Sequence, residues 1–174
     1  MNKFIKCYED ILDNKICENI IKNLTVSNFE KATVSRDEIN FKTRRCFQKP
    51  LKPEFDEDVF KAVGKVLERY VSDIPFLDTL KYEDSGYTHL LYREKDKGEY
   101  IYHVDDSKYL TRTLSCSIIL NDNFEGGCFS FLNNKQVIKP IQGSAIIFPS
   151  NFCFPHAITP VTKGNRHSII TWII

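Results

Sequence analysis

His103 and Asp105 stand two apart in the run His103-Val104-Asp105, and His156 follows at long range. Two imidazoles and one carboxylate make the donor set of the facial triad that holds non-heme Fe(II) and leaves positions open for O2 and a co-substrate. Alternate side chains of a strand share a face, so His103 and Asp105 are expected to converge while Val104 turns away. The third donor must then come from another strand, which requires sequence distance. These ligands do not by themselves select Fe(II) over Zn(II) or Mn(II). Asp106 is the rival carboxylate, but one residue off register it should point away from His103. Cys153, three residues before His156, is a poorer donor, because a thiolate beside Fe(II) and O2 invites its own oxidation.

Arg166 lies ten residues beyond His156. A dicarboxylate co-substrate that chelates iron at one end, such as 2-oxoglutarate, needs a cation for its far carboxylate. The guanidinium fork of Arg166 suits that task better than the point charge of Lys163. Ser168 should share the face of Arg166 and add a hydroxyl. The competing reading of Arg-x-Ser is an edge ion pair beside a surface serine. Tyr92 and Tyr100 precede the metal motif, and either could donate a hydrogen bond to the co-substrate; core packing with a wet hydroxyl is the rival role. His89 has no acidic partner nearby, and His167 should face the opposite side of its strand from Arg166.

These residues need a scaffold, and its pattern is readable. Asp13 is placed to cap a helix over 14–24, where Ile16, Cys17, Ile20, Ile21 and Leu24 form one apolar face. A second helix is expected over 54–71, with Phe55, Val59, Val63, Val66, Leu67 and Tyr70 as its stripe and acidic residues in its first turn. Residues 27–51 are mixed, polar and weakly periodic, and read as a loop that could include a short strand. After Pro75 the chain breaks into short β runs over 87–93, 99–105, 112–121, 128–132, 136–140, 144–150, 155–161 and 166–174. Turn signals rich in Gly, Asn and Asp separate them. Gly126, Gly127 and Gly143 read as turn residues with positive φ. Many short strands imply a sandwich or jelly roll.

The 174 residues allow one domain with a real core, and the net charge of +1 gives no strong field for nucleic acid or an acidic membrane. The six cysteines are scattered without a C-x-x-C pair. With charge early in the first ten residues and no long apolar run, the expected location is the cytoplasm, with reduced thiols.

The chain resembles the 2-oxoglutarate/Fe(II) dioxygenase superfamily, and specifically its prolyl 4-hydroxylase-like branch. The likeness rests on EYIYHVDD at 99–106, RTLSCSIILNDNFEGGCFSFL at 112–132, and the closing run from Gly143 to Ile174 with its P-V-T-x-G-x-R motif and Trp172. It implies a mainly β fold: a double-stranded β-helix (jelly roll) over 85–174, with N-terminal helices of 1–80 packed on its outer sheet, in a single domain of 1–174. It places the iron on His103, Asp105 and His156, and the 2-oxoglutarate cation on Arg166. It implies hydroxylation of a C–H bond with Fe(II), 2-oxoglutarate, O2 and ascorbate as reductant, most readily at a prolyl residue of a peptide or protein. Alternatives are a hydroxylase of a free amino acid or other small molecule, and a non-catalytic metal-binding jelly roll. Segment 28–50, with Arg36, Arg44, Arg45, Phe29, Phe41 and Phe47, is the expected substrate lid; a plain edge strand is its competitor.

Overall fold

Asp13 caps the first helix by accepting from the Lys15 backbone N–H at 2.7 Å. The computed structural model describes residues 3–23, 29–34, 38–79, 82–106, 108 and 111–174. In chain order the elements are β1 (Lys6–Tyr8), α1 (Asn14–Lys22), β2 (Glu30–Lys31), β3 (Phe47–Pro50), α2 (Asp56–Asp73), β4 (Thr88–Arg93), β5 (Tyr100–His103) and β6 (Leu114–Ile119). There follow β7 (Glu125–Gly126), β8 (Phe129–Phe131), β9 (Gln136–Ile138), β10 (Ala145–Pro149), β11 (His156–Ile158), β12 (Val161–Lys163) and β13 (Asn165–Ile173). A 3-10 turn over Pro53–Phe55 leads into α2, whose first turn holds Asp56, Glu57 and Asp58. Leu24 and Arg36 lie outside the described residues.

Two sheets form the jelly roll. The larger has seven strands in the order β1-β10-β6-β13-β4-β3-β2, and the smaller has four in the order β5-β11-β8-β9. Strands β7 and β12 make a separate antiparallel pair. The central strands of the larger sheet, β10, β6, β13 and β4, are buried on both faces, which explains their nearly unbroken apolar runs. Ile118, Ile147 and Ile169 face the helices, where they meet Cys17, Val59, Val63, Val66 and Tyr70. Their neighbours Ile119, Ile146 and Ile170 face inward and pack with Phe129, Phe131 and Phe148 between the sheets. The helices therefore cover the outer sheet, as expected from their stripes.

The described part of segment 28–50 includes two strands of the larger sheet. Strand β3 pairs with β4, and β2 closes the sheet edge. Strand β1, which has too few residues to show a period, pairs with β10. Gly126, Gly127 and Gly143 have φ of 73°, 58° and 74°, the left-handed conformation expected of turn glycines.

Candidate active site

The two sheets enclose a cavity of about 570 Å³ lined from both sides, by Tyr92, Arg166 and Ser168 on the larger sheet and by Tyr100, His103 and His156 on the smaller. Strand pairing brings the distant donors together: His156 on β11 lies directly opposite His103 on β5. Nε2 of His103 is 3.4 Å from Asp105 Oδ1, and Nε2 of His156 is 3.6 Å from Asp105 Oδ2. One donor atom from each of the three residues lies within 4.8 Å of the others.

Both imidazoles are oriented by backbone. His103 Nδ1 lies 2.8 Å from the Ile101 carbonyl, and His156 Nδ1 lies 3.2 Å from the Phe154 carbonyl. A carbonyl only accepts, so each Nδ1 carries the proton and each Nε2 keeps its lone pair for the centre. Burial pushes the His156 pKa down to about 4, against the opposing pull of Asp105. Burial works against the Asp105 carboxylate, but His156 and His103 outweigh it and hold the acid well below its usual range. The Ser115 hydroxyl donates to Asp105 Oδ2 at 2.6 Å and meets Ser150 Oγ at 2.8 Å.

The expected pairing of His103 with Asp105 is present, but its cause differs from the one read in the sequence. Strand β5 ends at His103, and Asp105 lies in a bend beyond it. The backbone N–H groups of Asp105 and Asp106 both donate to the Ser150 carbonyl, at 3.2 and 3.0 Å, and this turns the carboxylate inward. Val104 does not turn away; it sits on the cavity wall. Asp106 accepts from the Arg112 backbone N–H at 3.2 Å and stands apart from the cluster. Cys153 is exposed and also outside it.

Arg166 is 1% exposed. Its Nη1 donates to Ser168 Oγ at 2.9 Å, so the two share a face as expected. Nε and Nη2 are buried without a partner. Its Cζ lies 5.1 Å from the Tyr92 ring centre and 5.2 Å from that of Phe129. Burial lowers the guanidinium pKa from its ordinary value. Aromatic faces and one hydroxyl cannot neutralise a buried cation, so the pocket is made for an anion. Tyr92 is opposite Arg166 in the strand pair and lines the same cavity. Tyr100 lines the cavity as well, and its ring stacks on His103, with centroids 3.4 Å apart.

His167 faces away from Arg166, and its Nδ1 meets His89 Nε2 at 3.1 Å on the helix side of the sheet. Several site residues escaped the sequence reading. Ser115 is the clearest, although the alternation in LSCSII at 114–119 places Ser115 and Ser117 on one face. Arg112, with Nη1 on the Asp105 carbonyl at 3.1 Å, is another.

Residues 87–174 match the family model of the 2OG-Fe(II) oxygenase superfamily. Among similar curated proteins, human prolyl 3-hydroxylase 2 is 41% identical over 69 residues, 37% of this chain and 10% of that protein. A PKHD-type hydroxylase of Alteromonas mediterranea is 34% identical over 93 residues, 47% of this chain and 40% of that protein. The chain thus aligns with a minor part of these relatives' length. Among solved structures, a prolyl hydroxylase from Trichoplax adhaerens in complex with a hypoxia inducible factor peptide fragment superposes with a TM-score of 0.80 at 19% identity, covering 99% of this chain and 84% of that one. A viral collagen prolyl hydroxylase from Paramecium Bursaria Chlorella virus-1 gives 0.74 at 20% identity, covering 99% and 96%. At such identity these two establish the fold. The match across residues 87–174, which carry a His-Asp-His cluster and a buried arginine in one cavity, makes this chain a member of the 2OG-Fe(II) oxygenase superfamily.

Proposed function

We propose that this chain is an Fe(II)- and 2-oxoglutarate-dependent dioxygenase that hydroxylates a prolyl residue of a peptide or protein. The observation that carries the reading is Arg166, a fully buried cation with two unpartnered nitrogens in the cavity that holds the triad. A binding module for a metal alone has no use for it. The prolyl assignment is supported by the activities named for the similar proteins, and a peptide substrate by the peptide complex of the Trichoplax protein.

His103, Asp105 and His156 would hold Fe(II), through the two Nε2 atoms and a carboxylate oxygen. Arg166 and Ser168 would bind the far carboxylate of 2-oxoglutarate, with the Tyr92 ring as its wall. Ser115 holds Asp105 in place by its hydrogen bond, and the carbonyls of Ile101 and Phe154 fix both imidazole tautomers. Phe131 and Phe148 flank His156, with ring centroids 5.7 and 4.6 Å from it, and keep that side of the centre dry. When bound, iron and 2-oxoglutarate supply the oxidising chemistry, so that one oxygen atom of O2 enters succinate and the other the new hydroxyl, with CO2 released. The test is incubation with Fe(II), 2-oxoglutarate, ascorbate and a panel of proline peptides beside free amino acids, read as succinate and as a +16 Da product.

A further inference from the structure

The cavity holds more positive charge than the co-substrate needs. Arg44 and Arg112 both line it, in addition to Arg166. Arg44 is bridged to Tyr100 through the backbone, and the residue is 8% exposed. Its Nη1 donates to the Thr33 carbonyl at 2.5 Å, while Nε is buried without a partner. Its Cζ stands 4.7 Å from the centre of the Tyr100 ring, which in turn stacks on the candidate ligand His103. The Arg112 Cζ stands 3.5 Å from the centre of the Trp172 ring. Backbone carbonyls and aromatic faces fix the direction of both guanidinium groups, and among the described residues neither forms an ion pair with a carboxylate.

The neighbouring arginines show the contrast. Arg45 pairs with Glu99 at 2.5 Å, and Arg93 with Asp96 at 2.5 Å. Among the described residues lining the cavity, Asp105 is the one carboxylate, and it belongs to the triad. Asp106 lies near Arg112 but turns Oδ1 to that residue's backbone N–H and does not line the cavity. A divalent ion together with Arg166 balances Asp105 and the dianionic co-substrate. Arg44, which is buried, and Arg112, which is half-buried, are left over beside the candidate metal donors, and a buried charge without an ion-pair partner, as at Arg44, is unfavourable.

We propose that Arg44 and Arg112 form a carboxylate-binding subsite for the primary substrate. The inference rests on the hydroxylase reading above and sharpens it: the substrate carries an anionic group close to the carbon that reacts. With Nη1 taken by Thr33 and Nε without a partner, Arg44 keeps donor capacity for a carboxylate. Tyr100 and Trp172 supply flat apolar walls for the residue that bears it. The carboxylate has two sources, an acidic side chain beside the target residue or the α-carboxylate of the target itself.

The experiment uses matched probes. Ac-Gly-Pro-Glu-NH2 against Ac-Gly-Pro-Gln-NH2 tests the side chain, and Ac-Gly-Pro-OH against Ac-Gly-Pro-NH2 tests the α-carboxylate. For each, kcat and KM are measured with Fe(II), 2-oxoglutarate and ascorbate. Binding is read separately, without turnover, from the fluorescence of Trp172, the one tryptophan of the chain, with Mn(II) and N-oxalylglycine present. At least one pair should favour the anionic member by tenfold or more, chiefly through KM, and the pair that does so identifies the source. Arg44→Gln and Arg112→Gln should each bring that ratio close to one, while Arg44→Lys keeps part of it. Equal handling of both members of each pair by the unmodified protein overturns the subsite, as does a preference that survives both Gln variants. If no peptide yields product or succinate, the hydroxylase reading fails, and the Trp172 titration still decides the subsite by the same ratios. Melting curves of the Lys and Gln variants separate lost binding from lost fold.

Discussion

Gly127 stands where a Cβ would lie 2.9 Å from Arg166 Cδ, with Phe124 Cε2 at 3.0 Å and Val161 Cγ2 at 3.1 Å. Its φ of 58° adds a second reason for glycine. The turn between β7 and β8 therefore does more than reverse the chain: its missing side chain leaves room for the aliphatic stem of the buried Arg166.

Gly127→Ala should displace Arg166 and weaken the far-carboxylate site. We expect the KM for 2-oxoglutarate to rise about tenfold, the loss of roughly one good hydrogen bond to a charged group, together with a destabilisation of about 1 kcal/mol or more from the positive φ. Steady-state kinetics and a melting curve check both effects. An unchanged KM would mean the arginine is free to shift.

Arg166 itself gives effects of opposite sign on stability and on function. Arg166→Lys keeps the charge and loses the fork, so the KM for 2-oxoglutarate should rise by about 10- to 100-fold, with partial rescue at saturation. Arg166→Met removes a buried cation that lacks a carboxylate partner. In the absence of 2-oxoglutarate this variant should melt no lower than the unmodified protein, and up to several degrees higher. Addition of N-oxalylglycine with Mn(II) should raise the melting temperature of the unmodified protein more than that of the variant. Scanning fluorimetry of the two proteins checks this.

Ser115→Ala removes the hydroxyl that donates to Asp105 Oδ2. Loss of such an outer partner weakens metal binding by about 10- to 100-fold, readable by titration with Mn(II). Asp105→Ala should abolish turnover, whereas Asp106→Ala should retain much more, since Asp106 stands outside the donor cluster. The reverse order of these two aspartate variants would place the wrong carboxylate at the metal.

Burial lowers the pKa of His167 to about 4 and holds that of His89 well below the ordinary value of 6.5. In the unfolded chain both titrate near 6.5. Below that pH the unfolded state takes up protons that the folded state refuses. Stability present above about pH 6.5 is therefore lost progressively as the pH falls toward 4, by up to about 1.4 kcal/mol per pH unit for each group. His156 titrates in the same window when no metal is bound. His89→Leu should flatten the slope without abolishing it, as measured by urea unfolding at pH 7.5, 6 and 5. A slope equal to that of the unmodified protein would show that His89 does not set the acid sensitivity.

The metal donors were legible because residue type and spacing alone restrict what two histidines and an aspartate can do together. The direction of Asp105 was not, because it depends on the Ser150 carbonyl, 45 residues away in sequence, which accepts two backbone N–H groups in the bend. Helix α2 and the buried β runs were legible from period and turn residues. Strands β1 and β2, of three and two residues, are too short to show any period. Segment 28–50 was read as either a lid or an edge strand, and its described part contributes to both the sheet and the cavity. Glu30–Lys31 and Phe47–Pro50 extend the sheet, while Thr33, Val34 and Arg44 line the cavity. Arg44 and Arg45 looked equivalent as a basic pair. Their side chains diverge, so that Arg45 meets Glu99 while Arg44 lies over the Tyr100 ring and lines the cavity.

The most direct measurement is tandem mass spectrometry of proline peptides after incubation with the purified protein, Fe(II), 2-oxoglutarate and O2. The account predicts a +16 Da shift localised to a prolyl residue, matched by an equal amount of succinate and abolished when 2-oxoglutarate is omitted or His103 is replaced by Ala. A shift on a residue other than proline would contradict the prolyl assignment. Absence of both succinate and shift, with peptide and without, would contradict the oxygenase reading of the site.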